Sequence, residues 1–181
     1  MDVQIETPRL LLRVPNLTDL EPWAEMMADE ETAKFIGGVM PREVVWRALM
    51  TMIGSWHATG FGMFSVLEKS SGRWIGRLGP WQPDGWPGTE VGWAIVRDVW
   101  GKGYAPEGAT IATDWAFDNL GWTDVIHSIA PNNIASQQVA KKLGSINRGR
   151  GALPPPFHES IIDIWGQSRE QWRARRAIAG A

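Results

Sequence analysis

The stretch from Glu90 to Glu107, EVGWAIVRDVWGKGYAPE, limits the fold more than any other part of the chain. Glu90 to Val96 reads as a strand, the chain then turns through Asp98 to Gly103, and a helix follows with Pro106 in its first turn and Gly121 at its carboxyl end. A strand that feeds a helix through glycines leaves backbone N–H groups free at the positive end of the helix dipole, which suits phosphate oxygens. Gly101 and Gly103 let a ligand approach the main chain, and Lys102 between them adds charge at the rim. A turn that serves chain geometry alone has the same pattern. Two commoner phosphate motifs fit poorly. Pro106 stands where a dinucleotide fingerprint needs its third glycine, although Asp124 falls about where the ribose-binding acid would lie. The pattern Gly-x-x-x-x-Gly-Lys-Ser/Thr of nucleotide hydrolases does not occur.

The remaining composition narrows the function classes. A length of 181 residues suits one domain over residues 1–181, and 44% hydrophobic with 21% charged residues is globular. With no cysteine, disulfides, thiolate metal sites and a cysteine nucleophile are excluded. Eighteen Lys and Arg against twenty Asp and Glu leave a formal charge of −2, which argues against nucleic acid or an anionic membrane as partner. No apolar run reaches the roughly 18 residues of a membrane span, and the opening MDVQIETPR lacks the order of a signal peptide, so a cytoplasmic location is expected. His57, His127 and His158 show no metal-ligand spacing, and no metal is expected. The twelve tryptophans are scattered from Trp23 to Trp172, which suits core and groove walls better than a glycan-stacking platform and leaves room for a homodimer patch.

Along the chain, Ile5 to Arg13 reads as a first strand. Thr18 and Glu21 form a capping-box pattern, opening a helix with Leu20, Trp23, Ala24 and Met27 on one face. Pro41 opens a longer helix with an apolar stripe from Val44 to Trp56, ended by Gly60. Strands are expected at Gly62 to Leu67, Arg73 to Leu78 and Glu90 to Val96, resembling a meander. The helix after the glycine turn carries Ile111 and Trp115 on its apolar face, with Phe117 off it. A strand at Asp124 to Ala130 precedes a short helix capped by Asn132 or Asn133 and ended by Gly144. Weaker strands near Ser145 to Arg148 and Ser160 to Trp165 bracket the loop Gly151 to Phe157, and Ser168 opens a last helix. Strands and helices in this order indicate an α+β fold with one twisted central sheet.

Three motifs in order, Glu90 to Glu107, Asn133-Ile134-Ala135-Ser136 followed by Val139 to Gly144, and the opening Thr7-Pro8-Arg9-Leu10-Leu11-Leu12-Arg13, resemble the GNAT N-acetyltransferases, nearest the ribosomal-protein alanine N-acetyltransferase branch. The likeness runs from about Thr7 to Trp172. It implies a mixed sheet of about six to seven strands, splayed in the middle and flanked by about four to five helices. It also implies acetyl-coenzyme A as co-substrate, no metal, and a small-molecule or peptide amine as acceptor.

The resemblance places pantetheine against Ile95 and Val96, and pyrophosphate on the backbone amides of Gly101, Lys102, Gly103, Tyr104 and Ala105. The motif's usual Gln or Arg is Asp98 here, with Arg97 one residue early. Asn133 matches a pantetheine contact, and a plain helix cap explains it equally. Ser136 falls near the thioester sulfur; it, or a water, protonates the leaving thiolate, since the only tyrosine, Tyr104, lies in the phosphate turn. Glu90 is the candidate base, against the reading of a solvated strand-end glutamate, and the N–H of Val96 is the expected donor to the carbonyl oxygen. Acceptor choice falls to Trp23 to Gly38 and to Gly151 to His158, whose Pro154-Pro155-Pro156-Phe157 run is stiff and apolar. Ser145 replaces the family's phenylalanine after Gly144. A non-catalytic acyl-coenzyme A sensor of the same fold is the rival reading.

Overall fold

The computed structural model describes residues 3–179, which form one eight-stranded sheet. The strands are β1 (Gln4–Glu6), β2 (Leu10–Arg13), β3 (Phe64–Glu68), β4 (Trp74–Trp81), β5 (Glu90–Ile95), β6 (Asp124–Ile129), β7 (Ile146–Gly151) and β8 (Ile162–Ser168), ordered β1-β2-β3-β4-β5-β6-β8-β7. The helices are α1 (Leu20–Ala28), α2 (Glu30–Ala33), α3 (Arg42–Thr59), α4 (Tyr104–Asn119), α5 (Ile134–Leu143) and α6 (Arg169–Ala179). The architecture is the expected α+β class, with one more strand and one more helix than anticipated.

The extra strand comes from Pro8. The first expected strand breaks at Thr7 to Arg9, where Thr7 N–H donates to Leu10 O at 2.9 Å, and β1 folds back antiparallel on β2. Proline supplies no N–H with which to continue a ladder. The extra helix, α2, is one turn held by Asp29, whose carboxylate accepts from Thr32 N–H at 2.8 Å. The cap before α1 also differs from expectation. Asn16 accepts from Thr18 N–H, and Asp19 returns the bond to Asn16 N–H, both at 2.9 Å, so the box lies two residues earlier than Thr18 and Glu21. Glu21 instead pairs with Arg42 of α3.

Successive residues of a strand point to opposite faces. Trp74 and Ala94 enter one apolar cluster with Trp23, Met26, Met27, Leu49 and Met63, while their neighbours Ile75 and Ile95 enter another with Leu10, Leu78 and α4. The sheet is therefore covered by α1 and α3 on one face and by α4 on the other. Helix α4 turns Gly108, Ala109, Ala112, Ala116 and Phe117 inward, with Ile111 and Trp115 half-buried against the same core, so Phe117 belongs to the apolar face from which it was expected to be absent. Small residues let this helix lie close to β4 and β5 and fix where its amino terminus points.

Candidate active site

Strands β5 and β6 run parallel but pair only at Glu90 and Ile126. Ile126 N–H donates to Thr89 O at 2.9 Å, and a regular parallel ladder would next give Ser128 N–H to Val91 O. Side chains intercept both groups. Val91 O accepts instead from His127 Nδ1–H at 2.7 Å, and Ser128 N–H donates to Glu90 Oε1 at 3.0 Å. Beyond this point the strands diverge. His127 is fully enclosed, and burial lowers its pKa to about 4, so it is neutral. A carbonyl only accepts, so Nδ1 carries the proton, leaving Nε2 to accept from Ser145 Oγ at 3.0 Å, which in turn accepts from Gln167 Nε2 at 2.9 Å. Ser145, the residue after Gly144, is thus a partner of the histidine that takes the Val91 carbonyl out of the ladder.

The open gap exposes backbone groups of β5. Val96 N–H donates to Ile75 O of β4 at 2.9 Å, so it is not free to hold a carbonyl oxygen, contrary to the sequence expectation. Strand alternation then turns the N–H groups of Trp93 and Ile95 toward the gap. At the far end, α4 begins behind Gly103, with φ of +76° at Gly101 and +83° at Gly103, a region open to glycine. The N–H groups of Tyr104 and Ala105, at the first positions of α4, have no acceptor within the helix. Lys102 differs: its N–H leans back to Val99 O at 3.4 Å, and only its exposed side chain is free to meet an anion.

Arg9 braces this turn from the β1–β2 connection. Its Nε donates to Glu107 Oε2 at 2.6 Å, one terminal nitrogen donates to Lys102 O at 2.9 Å, and its guanidinium lies 4.5 Å from the Tyr104 ring centre. Thr7 Oγ1 holds the other Glu107 oxygen at 2.5 Å. Tyr104 hydroxyl donates to Glu68 at 2.5 Å and is spent on β3. Arg97 pairs with Asp29 at 2.9 Å, and Asp98 with Arg73.

A second helix amino terminus faces the gap. Asn133 caps α5, its Oδ1 accepting from Ser136 N–H at 3.1 Å, and its amide nitrogen remains a donor. Ser136 Oγ accepts from Trp93 Nε1–H at 3.3 Å, leaving the serine hydrogen free to donate. Trp93 spans the gap from β5 to α5, and its ring lies 4.9 Å from that of His127.

Glu90 is buried, with a carboxylate held by three donors: Ser128 N–H on Oε1, and Ser128 Oγ at 3.0 Å and Trp86 Nε1 at 2.5 Å on Oε2. Burial pushes its pKa up, and those three bonds oppose the shift. It is not a solvated strand-end glutamate. Oε1 carries one donor, Ser128 N–H, and faces Gly92, where a Cβ would stand 3.6 Å from that oxygen and 2.7 Å from the Met63 methyl group that packs there. Trp86 packs edge-on to Phe157 at 6.5 Å, and Phe157 reaches Gly37 between α2 and α3. The two segments expected to choose the acceptor therefore meet over Glu90.

Trp86, Trp93, His127 and Ser128 escaped the sequence reading as site residues, and so did Arg77 of β4, which reaches Met63 Sδ and the face of Trp23 on the α1 side of the sheet. Arg77 carried the clearest signal, as the one charge in the strand WIGRLGPW. Among the described residues no group of three or more His, Asp or Glu is arranged around a metal, and no helix is long and apolar enough to cross a membrane. His57 lies in the last turn of α3 and His158 is exposed in the β7–β8 loop.

Comparison with known proteins agrees with this geometry. The model of the acetyltransferase (GNAT) domain matches residues 9–146. The protein named uncharacterized N-acetyltransferase p20 of Bacillus licheniformis is 28% identical over 166 residues, 88% of this chain and 91% of that protein. Another curated relative, from Bacillus subtilis, is matched over only 51% of its own length. Among solved structures, an acetyltransferase from Agrobacterium tumefaciens superposes with a TM-score of 0.79 at 25% identity, covering 91% of this chain and 94% of that one. The ribosomal-protein-S5-alanine acetyltransferase of Vibrio fischeri shares the fold, with a TM-score of 0.74 at 17% identity over 94% and 99% of the two chains. The chain belongs to the GNAT family of acetyltransferases.

Proposed function

We propose that this acetyltransferase moves the acetyl group of acetyl-coenzyme A to a primary amine, a peptide α-amine or a small-molecule amine, by direct attack on the thioester. The observation that carries the proposal is the gap between β5 and β6: unpaired strand N–H groups line it, and the amino termini of α4 and α5 face it. Pyrophosphate would rest on the amides of Gly101, Gly103, Tyr104 and Ala105, with the Lys102 side chain at the rim. Pantetheine would lie along Ile95 and Val96, with Asn133 donating its amide hydrogen.

In the reaction the neutral amine nitrogen bonds to the thioester carbon, the C–S bond breaks, and coenzyme A leaves as the thiolate. The carbonyl oxygen takes its hydrogen bond from Ile95 or Trp93 N–H, the groups that point into the gap. Glu90 Oε1, which carries a single donor, accepts the ammonium proton, directly or through one water. Ser136, whose hydrogen is left free by Trp93, donates a hydrogen bond to the leaving thiolate and relays a proton to it from water, so that the serine itself ends protonated. We read the protein as a cytoplasmic, single-domain enzyme without metal, with a homodimer left open by its scattered tryptophans. A panel of peptide α-amines, lysine peptides, polyamines and aminoglycosides, assayed by thiol release, tests the reading. Acetylation of one class is the expected result; tight coenzyme A binding with no acetylation would favour a sensor.

A further inference from the structure

We infer that the acceptor amine carries a carboxylate and that Arg77 receives it. This rests on the proposed amine acetylation at Glu90. Arg77 sits in β4 opposite Ala94, and Glu90 sits in β5 opposite Trp81, so both side chains leave the sheet on the face covered by α1 and α3. Between them lie Gly79 and Gly92, an opposed pair; the Met63 methyl group fills the room beside Gly92, 2.7 Å from where a Cβ would stand, so a substrate between the two ends takes the place of that flexible side chain. Met63 links the two ends. Its Sδ accepts from one Arg77 nitrogen at 2.7 Å, and its methyl group lies beside Gly92, which in turn faces Glu90 Oε1.

The Arg77 guanidinium is poorly matched within the protein. It has no carboxylate in an ion pair among the described residues, a thioether is a weak acceptor, and its buried Nε–H has no partner. Its remaining contact is the face of Trp23, 5.1 Å away on α1. The nearby arginines are spent differently: Arg13 is bidentate to Asp19, Arg73 pairs with Asp98, and Arg97 with Asp29. A cation buried among apolar side chains is costly until a planar anion engages its fork, and carboxylate is the anion that fits it with two parallel bonds, the Met63 thioether giving way to it. Burial lowers its pKa to about 10, so it stays charged at neutral pH, and only the Glu90 charge opposes the shift. One substrate spanning amine and carboxylate would meet Glu90 at one end and Arg77 at the other. The same charge repels polycations, which sets polyamines and aminoglycosides against the site.

The first arm of the test uses products, so it does not depend on turnover. The protein loaded with coenzyme A is titrated calorimetrically with N-acetyl-β-alanine and with the neutral analogue N-acetylethanolamine. The acid should bind the native chain at least about tenfold more tightly. Arg77→Met should abolish that preference and Arg77→Lys should keep part of it, with coenzyme A affinity unchanged in both as the check on folding. The ladder glycine, β-alanine and γ-aminobutyrate, offered as acceptors, should show one preferred length in KM. Equal affinity for acid and neutral product in the native chain, or an undiminished preference in Arg77→Met or Arg77→Lys, overturns the inference while leaving amine acetylation standing. Failure of coenzyme A itself to bind overturns the functional reading and this inference with it.

Discussion

The turn from Gly101 to Ala105 and the cluster around Glu90 lie beyond the two ends of β5, and they are built in opposite ways. At the turn the ligand would meet main chain: two glycines at positive φ, a helix dipole and N–H groups that no residue further along can satisfy. Around Glu90, apart from the Ser128 N–H, the groups are side chains, delivered by β4, β6, the β4–β5 loop and the β7–β8 loop. Backbone recognition depends on local conformation, which a short motif specifies. Side-chain recognition depends on which distant segments the sheet brings together. The first suits a co-substrate common to a family, and the second is free to vary with the acceptor.

Gly103→Asp is the most severe way to break the backbone side. It forces a side chain at φ +83° and places a carboxylate against the pyrophosphate position, so acetyl-coenzyme A affinity should fall by about 100-fold or more while the melting temperature changes little. Unchanged affinity in the folded variant would remove the turn from the site.

Glu90→Gln probes the side-chain end. The turnover rate should drop by roughly 10²–10⁴-fold with coenzyme A affinity intact, the range of a lost general base. In the native enzyme the acid limb of kcat/KM against pH should lie above the ordinary carboxylate range, because burial raises the Glu90 pKa. A pH profile shared by the two proteins would show that Glu90 takes no proton.

His127 sits at the junction of the two regions, and its effect is on stability. The unfolded chain binds a proton near pH 6.5, whereas the folded chain resists until about pH 4. Between those values the unfolded state holds more protons, so stability is full above pH 6.5 and is lost as pH falls toward 4, by roughly 3 kcal/mol. Urea midpoints across this window should fall more steeply for the native protein than for His127→Gln; identical slopes would mean that His127 is not held neutral.

Asn133→Ala should have the smallest consequence, a rise of about tenfold or less in the acetyl-coenzyme A KM, with part of the change appearing as lost helix capping. Asn133→Asp separates the roles, since it caps α5 as well but cannot donate. Recovery of the native KM by the aspartate would reduce Asn133 to a cap.

The same contrast explains how much of the molecule the sequence made legible. The sequence bounds helix α5 between Asn132 or Asn133 and Gly144, and places the strand–glycine–helix unit within a residue, because caps and glycine turns act over a few positions. Pro8 divided a strand that hydrophobic pattern alone would have continued. The apolar face of α4 is wider than Ile111 and Trp115 indicate: both pack against the core, Trp115 edge-on to Phe64, but Gly108, the alanines and Phe117 lie deepest, because close approach to the sheet favours small residues. Val96 was chosen as an oxyanion donor without knowledge of strand phase, and the bond from its N–H to Ile75 shows the phase to be the other one. Nothing in the local sequence ties His127 to Val91, or Trp86 to Glu90 and Phe157, since those contacts exist only once the sheet order is set.

Calorimetric titration of the purified protein with acetyl-coenzyme A and with coenzyme A, using NAD as the control, tests most directly whether the β5–β6 gap and the α4 turn form a coenzyme A site. The expected result is micromolar binding of both coenzyme A forms, no binding of NAD, and loss of both in Gly103→Asp. Absence of binding by the native protein, or equal binding by the variant, would contradict it.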